Sequence, residues 1–450
     1  MRILLHLAPT AIFRSRTFVS LQKHYNYRLY FSGQFLSQIG TWLMNAAMAW
    51  LVLQMTHSAF AVGVLAFWQF GPYAVLGLFG GVISDRLDHR KTLQWTQIAL
   101  AVCSSLIAAL TLLHVVVLWE VYAIAAIRGA VLVLNNPSRQ AFIFQMVGRE
   151  ELPNAIALNS SVANATRIIG PGLGGLLIAA FGVGICFSID AISYVAVIVA
   201  LMVMRLDEIL PIERREKPAV FRGIAEGLRY VRRTPTVLLA LTMFLFICIV
   251  SINFTVLLPL VASDTLHAGA EVFGLLTACF GAGALIGALI SASFGRANWR
   301  ILLISATGFG VGEVVLALQH TVIGAVLMLL MTGIFYTIYT SNTNAMVQLA
   351  SPGYLQGRVA GLYSYIFSGS NALGAVIAGA MAAQGGTELA FLAAGGTALV
   401  CAGFGAYMHL RGHVHSPKGA LQKSKVPGAS IPPPLPGAPS PEEALQENNV

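Results

Sequence analysis

Charge is what this chain of 450 residues has least of. Only 10% of its residues are Asp, Glu, Lys or Arg, against roughly a quarter in soluble domains, while 57% are hydrophobic and the mean hydropathy is +0.75. So few charges cannot coat a water-exposed surface, and the chain reads as a polytopic membrane protein. Cysteine is scarce too: Cys103, Cys186, Cys248, Cys279 and Cys401 all stand in apolar stretches. None has a CxxC or Cys/His spacing that could grip a metal, so they read as small packing residues, and no metal or other cofactor is expected. The P-loop pattern G-x-x-x-x-G-K-[ST] is missing, which argues against a built-in ATPase motor. G-x-S-x-G, H-E-x-x-H and paired-carboxylate patterns are missing as well, so an enzyme is not expected. A net charge of +9 without an aromatic-basic stripe points to topology and contact with anionic lipid, and not to nucleic acid.

Positive charge is also absent from every second connection. Basic residues cluster at Arg14 to Arg28, Arg86 to Lys91, Arg139 to Arg149, Arg205 to Arg233, Arg296 to Arg300, Arg358 and from Arg411 onward, whereas the connections near His57, Leu118, Gly182, Asp264, His320 and Gly385 have no Lys or Arg. By the positive-inside rule the basic connections and both termini are cytoplasmic.

About 20 apolar residues are needed to cross the hydrocarbon core as a helix. Cutting the chain at its charged, Pro-rich and Gly-rich breaks gives twelve segments, near 29–53, 60–84, 92–116, 118–144, 155–180, 183–204, 236–260, 272–294, 301–319, 322–347, 359–383 and 387–410. Residues 1–25 form a cytoplasmic arm, 26–204 a first six-helix bundle, 205–235 a cytoplasmic linker, 236–411 a second bundle, and 412–450 a disordered Pro-rich tail. Within the linker, Phe221 to Arg233 places Ile224, Leu228 and Val231 on one helical face ringed by arginines. That pattern predicts an amphipathic helix on the inner leaflet, or else a solvated connector.

The halves echo each other. Val62-Gly63-Val64-Leu65 leads to Asp85-Arg86 and Arg90, as Phe273-Gly274-Leu275-Leu276 leads to Gly295-Arg296 and Arg300. A second echo pairs Gly170 to Gly175 with Gly374 to Gly379. Offsets of 210–211 and about 204 residues point to parallel six-helix repeats, with a small-molecule site between them.

Gly81-Val-Ile-Ser-Asp85-Arg86-Leu-Asp-His-Arg90-Lys91 resembles the loop signature of the major facilitator superfamily, G-x-x-x-D-R-x-x-x-R-K. Within it the chain is similar to the drug and siderophore exporter branch that includes enterobactin exporters. Tyr27-Arg28-Leu29-Tyr30, Gly33-Gln34-Phe35, Trp50-Leu51-Val52, Asn136-Pro137-Ser138-Arg139-Gln140 and Arg167-Ile-Ile-Gly170-Pro171-Gly-Leu-Gly174-Gly175 carry that likeness, which spans about residues 26 to 410. Gly170, Pro171, Gly174 and Gly175 match part of the antiporter signature, with Thr166 replacing a further glycine. The resemblance implies an all-α membrane protein of twelve transmembrane helices in two six-helix bundles related by pseudo-twofold symmetry. It implies a cavity lined by the first, fourth, seventh and tenth segments, protons as the coupling ion, and a bacterial inner (plasma) membrane. It also implies gating by Gly81, Asp85, Arg86, Arg90 and Lys91, with Asp85 pairing at the start of the eleventh segment beside Arg358. Gly361, Gly369, Gly374 and Gly379 are expected to give that segment plasticity.

A charge at the bilayer centre costs at least about 2.5 kcal/mol unless paired or hydrated, so Arg128, Arg167, Asp190 and Glu313 point to the site. Arg128 resembles the arginine of the family's fourth-helix signature, which is linked to proton coupling. Asp190 is expected to pair with Arg167. The sharper alternative has Arg128 or Arg167 binding an anionic substrate group while Asp190 or Glu313 changes protonation. Gln34, Gln38, Asn45, Asn135, Asn136, Asn253, Tyr336, Tyr339 and Asn342 complete a mixed polar and aromatic wall suited to an amphipathic molecule. Trp42, Trp50, Trp68 and Phe70 read as packing or interface residues. The expected function is a monomeric, proton-coupled exporter of a siderophore, drug or amphipathic metabolite. Import, or a scaffold or sensor role on the same fold, are the alternatives.

Overall fold

In hydrocarbon a backbone amide finds no water, so apolar runs of this length satisfy themselves as helix. The computed structural model describes residues 18–84, 87–211, 220–294, 297–412 and 414, and no strand occurs among them. The helices are α1 (Val19–Lys23), α2 (Tyr25–Thr56), α3 (Ala59–Ser84), α4 (His89–Leu112), α5 (Leu118–Phe181), α6 (Val183–Val203), α7 (Val220–Arg233), α8 (Pro235–Val250), α9 (Phe254–Leu260), α10 (Ala270–Ser293), α11 (Trp299–Ala317), α12 (Val322–Leu349) and α13 (Gly353–Leu410). Ten stretches among the described residues are long and apolar enough to cross a membrane, α8 and α9 forming one of them. Three of the ten are interrupted by non-helical residues: the α8–α9 stretch at Ser251–Asn253, α5 at Gly148, and α13 at Gly385 and Gly386. Gly148 and Gly386 have φ of 69° and 70°, a left-handed region that glycine enters without a Cβ penalty.

The sequence echo is repeated in the backbone. His57 and His267 both end a stretch with φ of 47°, and Gly182 and Gly386 both reverse the chain at φ of 80° and 70°. The separations, 210 and 204 residues, match the offsets of the sequence repeat.

In the first half α2 packs on α5 and α6, and α4 on α6; in the second, α10 packs on α12, and α11 on α13. Between the halves α9 touches α2 and α3, and the two most extensive contacts are α3 on α13 and α5 on α10. Both are glycine-to-glycine crossings. A Cβ on Gly175 would stand 2.7 Å from the Gly274 Cα, and one on Gly379 would stand 3.0 Å from the Gly63 Cα. All four glycines lie within two turns of the helix ends that lead to connections without Lys or Arg, so the halves are closed together at that end.

At the basic end, α1 and the start of α2 are tied into the first half. Ser20 Oγ hydrogen-bonds Asn154 Oδ1 (2.8 Å) and Tyr27 Oη donates to the Ala155 carbonyl (3.0 Å). Asn26 exchanges two hydrogen bonds with the Arg205 backbone (2.7 and 2.9 Å). Lys23 pairs with Glu151, whose hydrogen bond raises the ammonium pKa above its ordinary value. These contacts account for the Tyr27-Arg28-Leu29-Tyr30 element as the anchor of α2.

The seventh segment departs from expectation. A single helix over 236–260 is replaced by α8 and α9, separated at Ser251–Asn253 and followed by a π turn, Val261–Thr265. Ser251 Oγ donates to the Ala394 carbonyl (2.7 Å), and Asn253 Nδ2 to the Ile249 carbonyl (2.8 Å), so side chains carry bonds at the break. The amphipathic pattern in the linker does form a helix, α7. Its contacts run to the second half: Gly227 lies against Arg358 and Leu362, Tyr230 Oη donates to the Ala350 carbonyl, and Glu226 pairs with Arg358. Arg358 therefore has a partner that the sequence reading did not assign. Glu226 is partly exposed, so Glu226→Gln is expected to change thermal stability by less than about 1 kcal/mol in purified protein.

Candidate functional site

A cavity of about 270 Å³ lies between the two halves. Trp42, Asn45, Ala46 and Ala49 of α2, Leu65, Gln69 and Phe70 of α3, and Arg167 and Pro171 of α5 form one side. Phe254, Thr255 and Leu258 of α9, Phe273, Thr277 and Phe280 of α10, Tyr336 of α12, and Phe367 and Asn371 of α13 form the other. At 1.5 Å per residue, Asn45, Arg167 and Tyr336 sit roughly 15–20 Å inside the closed end, near the middle of their helices. The broken seventh segment supplies Ile252 and α9 to this wall. Irregular backbone at membrane depth is tolerated where it lines a cavity or is buried in protein, and here it does the former.

The site differs from the sequence expectation in which helices build it. The fourth segment, the part of α5 before Gly148, contributes no lining residue; α3, the later part of α5, α10 and α13 do. The reason is the crossing of α3 on α13 and of α5 on α10, which brings those four helices to the junction between the halves.

Of the candidate residues, Asn45, Arg167 and Tyr336 line the cavity, as does Pro171 of the antiporter-like element. Gln34 is buried among Tyr27, Tyr30, Phe31 and Val162 instead. Gln38 is not on the cavity wall. Asn135 donates to Thr96 Oγ1 (2.8 Å), Asn136 bonds Tyr73, and Asn253 caps the break in the seventh segment. Tyr339 is fully buried beside Phe244, and Asn342 bonds the Asn298 backbone in both directions (3.1 and 3.2 Å). Trp42 and Phe70, read as packing residues, face the cavity, whereas Trp50 stacks on Phe273 at 5.7 Å. Gln69, Thr255, Thr277 and Asn371 went unrecognised, because one polar residue in an apolar helix leaves no sign of which face turns inward.

The expected pairing of Asp190 with Arg167 is corrected. Asp190 Oδ2 accepts from Arg128 Nη1 at 3.1 Å and from Ser104 Oγ at 2.7 Å, and Arg128 also reaches Ser104 Oγ (2.6 Å) and Tyr194 Oη (3.4 Å). Tyr194 continues to Thr41 Oγ1 (3.3 Å), so the network joins four spans inside the first half. Arg128 is 4% exposed and Asp190 fully buried, and neither is a cavity-lining residue. Gly40 provides the room: a Cβ there would meet Asp190 and Ser193 side-chain oxygens at 2.8 and 2.5 Å. Sequence separation could not choose between the two arginines, since both lie at similar depth. Glu313 is fully buried on α11 near Ser251, away from the cavity wall.

The signature residues have visible roles where they are described. Asp88 caps α4 by accepting from the Lys91 amide (3.0 Å), and Arg90 donates twice to the Leu201 carbonyl (3.0 and 2.7 Å), closing the end of α6 onto the start of α4. Gly81 belongs to α3; Asp85 and Arg86 lie outside the described residues. Thr166, in place of a glycine, turns its hydroxyl back to the Val162 carbonyl (2.9 Å) and is fully buried. Gly374 lies against Asn253, whereas a Cβ on Gly361 would meet nothing within 4 Å.

Comparison with known proteins agrees with this architecture. A family profile described as transmembrane secretion effector matches residues 16–427. Macrolide efflux protein A of Streptococcus pyogenes is 25% identical over 398 residues, covering 85% of this chain and 96% of its own. The enterobactin exporter EntS of Salmonella typhimurium is 25% identical over 367 residues, covering 81% and 87%. Among solved structures the nucleoside transporter NupG superposes with a TM-score of 0.68 at 11% identity, covering 85% of this chain and 99% of its own, a likeness of fold.

Proposed function

Because the chain belongs to the transmembrane secretion effector family of major facilitator transporters, we propose that it exports an amphipathic small molecule, a siderophore, drug or related metabolite, by proton-coupled alternating access. The observation that carries this reading is a central cavity walled by both halves and closed at one end by two glycine crossings. Separation of those crossings, with closure at the basic end, would offer the same cavity to the other side of the membrane. Export as the direction rests on the names of the related proteins, macrolide efflux protein A and an enterobactin exporter. Proton coupling rests on the Arg128–Asp190 pair, where gain or loss of one proton would unbalance a desolvated charge and bias the two halves. The bacterial inner membrane, cytoplasmic termini and a monomeric working unit complete the proposal.

Efflux from an exporter-deficient bacterial host, preloaded with dyes, drugs and catecholate siderophores, tests it. Export that collapses on adding a protonophore is expected. Accumulation above control cells would indicate import, and no movement of any compound by fully inserted protein would favour a scaffold or sensor.

A further inference from the structure

Among the described residues Arg167 is the one charged side chain on the cavity wall, and no carboxylate among them lies within ion-pair distance of it. Of the two carboxylates buried among the described residues, Asp190 is held by Arg128, and Glu313 lies away from the cavity on α11. The guanidinium makes no hydrogen bond to a described residue, and its Nε is buried without a partner.

Its position is built, and the arginine-to-proline element of α5 does the building. Gly170 leaves space into which Trp42 packs, with the indole Cγ 3.3 Å from where a Cβ would be. One turn earlier on the same helix, Arg167 lies over that indole, 5.4 Å from the ring centroid. Pro171 has no amide hydrogen, so it cannot bond the Arg167 carbonyl. That oxygen lies against Gly281 of α10, 3.3 Å from a Cβ built there. Trp42 and Pro171 both face the cavity. Stacking occupies the face of a guanidinium and leaves its in-plane donors available, the geometry in which arginine receives a carboxylate.

A cation kept at membrane depth without a counter-charge is costly, and a counter-charge arriving with the cargo removes that cost. We propose that Arg167, stacked on Trp42, is the specificity-determining residue of the cavity and that it selects cargo bearing an organic acid group beside an aromatic or flat apolar body. Asn45, Gln69 and Asn371 take neutral polar groups, the phenylalanines take the apolar body, and an amine is disfavoured by like charge. The inference rests on the cavity being the transport site.

Equilibrium dialysis of the purified full-length protein against 1-naphthoate, 1-naphthamide and 1-naphthylmethylammonium, corrected with protein-free micelles, tests it. The acid is expected to bind about tenfold more tightly than the amide, with the ammonium weakest. Arg167→Gln should bring acid and amide to equal affinity, and Arg167→Lys should keep a preference for the acid; monodisperse elution of both variants shows that each is folded. Equal binding of acid and amide by the parent protein, no binding of the acid, or an acid preference that survives in Arg167→Gln would each overturn the proposal. Because binding is read without flux, an Arg167-dependent acid site in a protein that moves nothing counts against the transport reading alone. A cavity indifferent to acid in a protein that does export counts against Arg167 alone.

Discussion

Replacing Asp190 by Ala is expected to destabilise the protein by about 3–5 kcal/mol, seen as a large fall in thermal stability after purification. The reason is the residue left behind. Arg128 is 4% exposed and would keep Ser104 and Tyr194 as hydrogen-bond partners but have no counter-charge. A buried pair is often no more stable than apolar residues of similar volume, so Arg128→Met combined with Asp190→Leu should recover much of the loss. Transport should not recover with it. A double variant that is stable and exports with unchanged protonophore sensitivity would show that the pair only joins helices, and the coupling role assigned to it would be withdrawn.

Substituting Gly175 by Leu should reduce transport by more than about tenfold while leaving the protein inserted and folded. A Cβ at this position would lie 2.7 Å from the Gly274 Cα, against roughly 3.5–4.0 Å for carbon atoms at ease. The Cβ position is fixed by the α5 backbone and the Cα belongs to the α10 backbone, so a rotamer change cannot relieve the overlap and α5 must part from α10 by about 1 Å or more. The closed end would then fail to close. Thr277→Cys, placed on the cavity wall, gives a second readout: in the Gly175→Leu background it should become more reactive to a membrane-impermeant maleimide applied from the side of the closed end. Gly63→Leu, at the matching crossing on Gly379, should behave alike. Undiminished transport with no change in labelling would mean that these contacts are incidental to the cycle.

Hydropathy, the alternation of basic connections and the 210- and 204-residue echoes determined the helical class, the chain reversals and the repeat, because each depends on local composition or on sequence spacing. The Arg167-to-Gly175 element was legible for the same reason, glycines and a proline in a helix having few alternative uses. Which arginine holds Asp190, which polar residues reach the cavity and which helices wall it were decided only by tertiary structure. Arg128 and Arg167 lie at similar depth on consecutive spans, and only the rotation of each helix turns one toward Asp190 and the other toward Trp42. An apolar span in lipid can be hydrophobic all round, so its sequence does not record that rotation. The break at Ser251–Asn253 was hidden likewise: Asn253 bonds back to the preceding turn, but Ser251 bonds the Ala394 carbonyl of α13, a contact that exists only once the second half has packed.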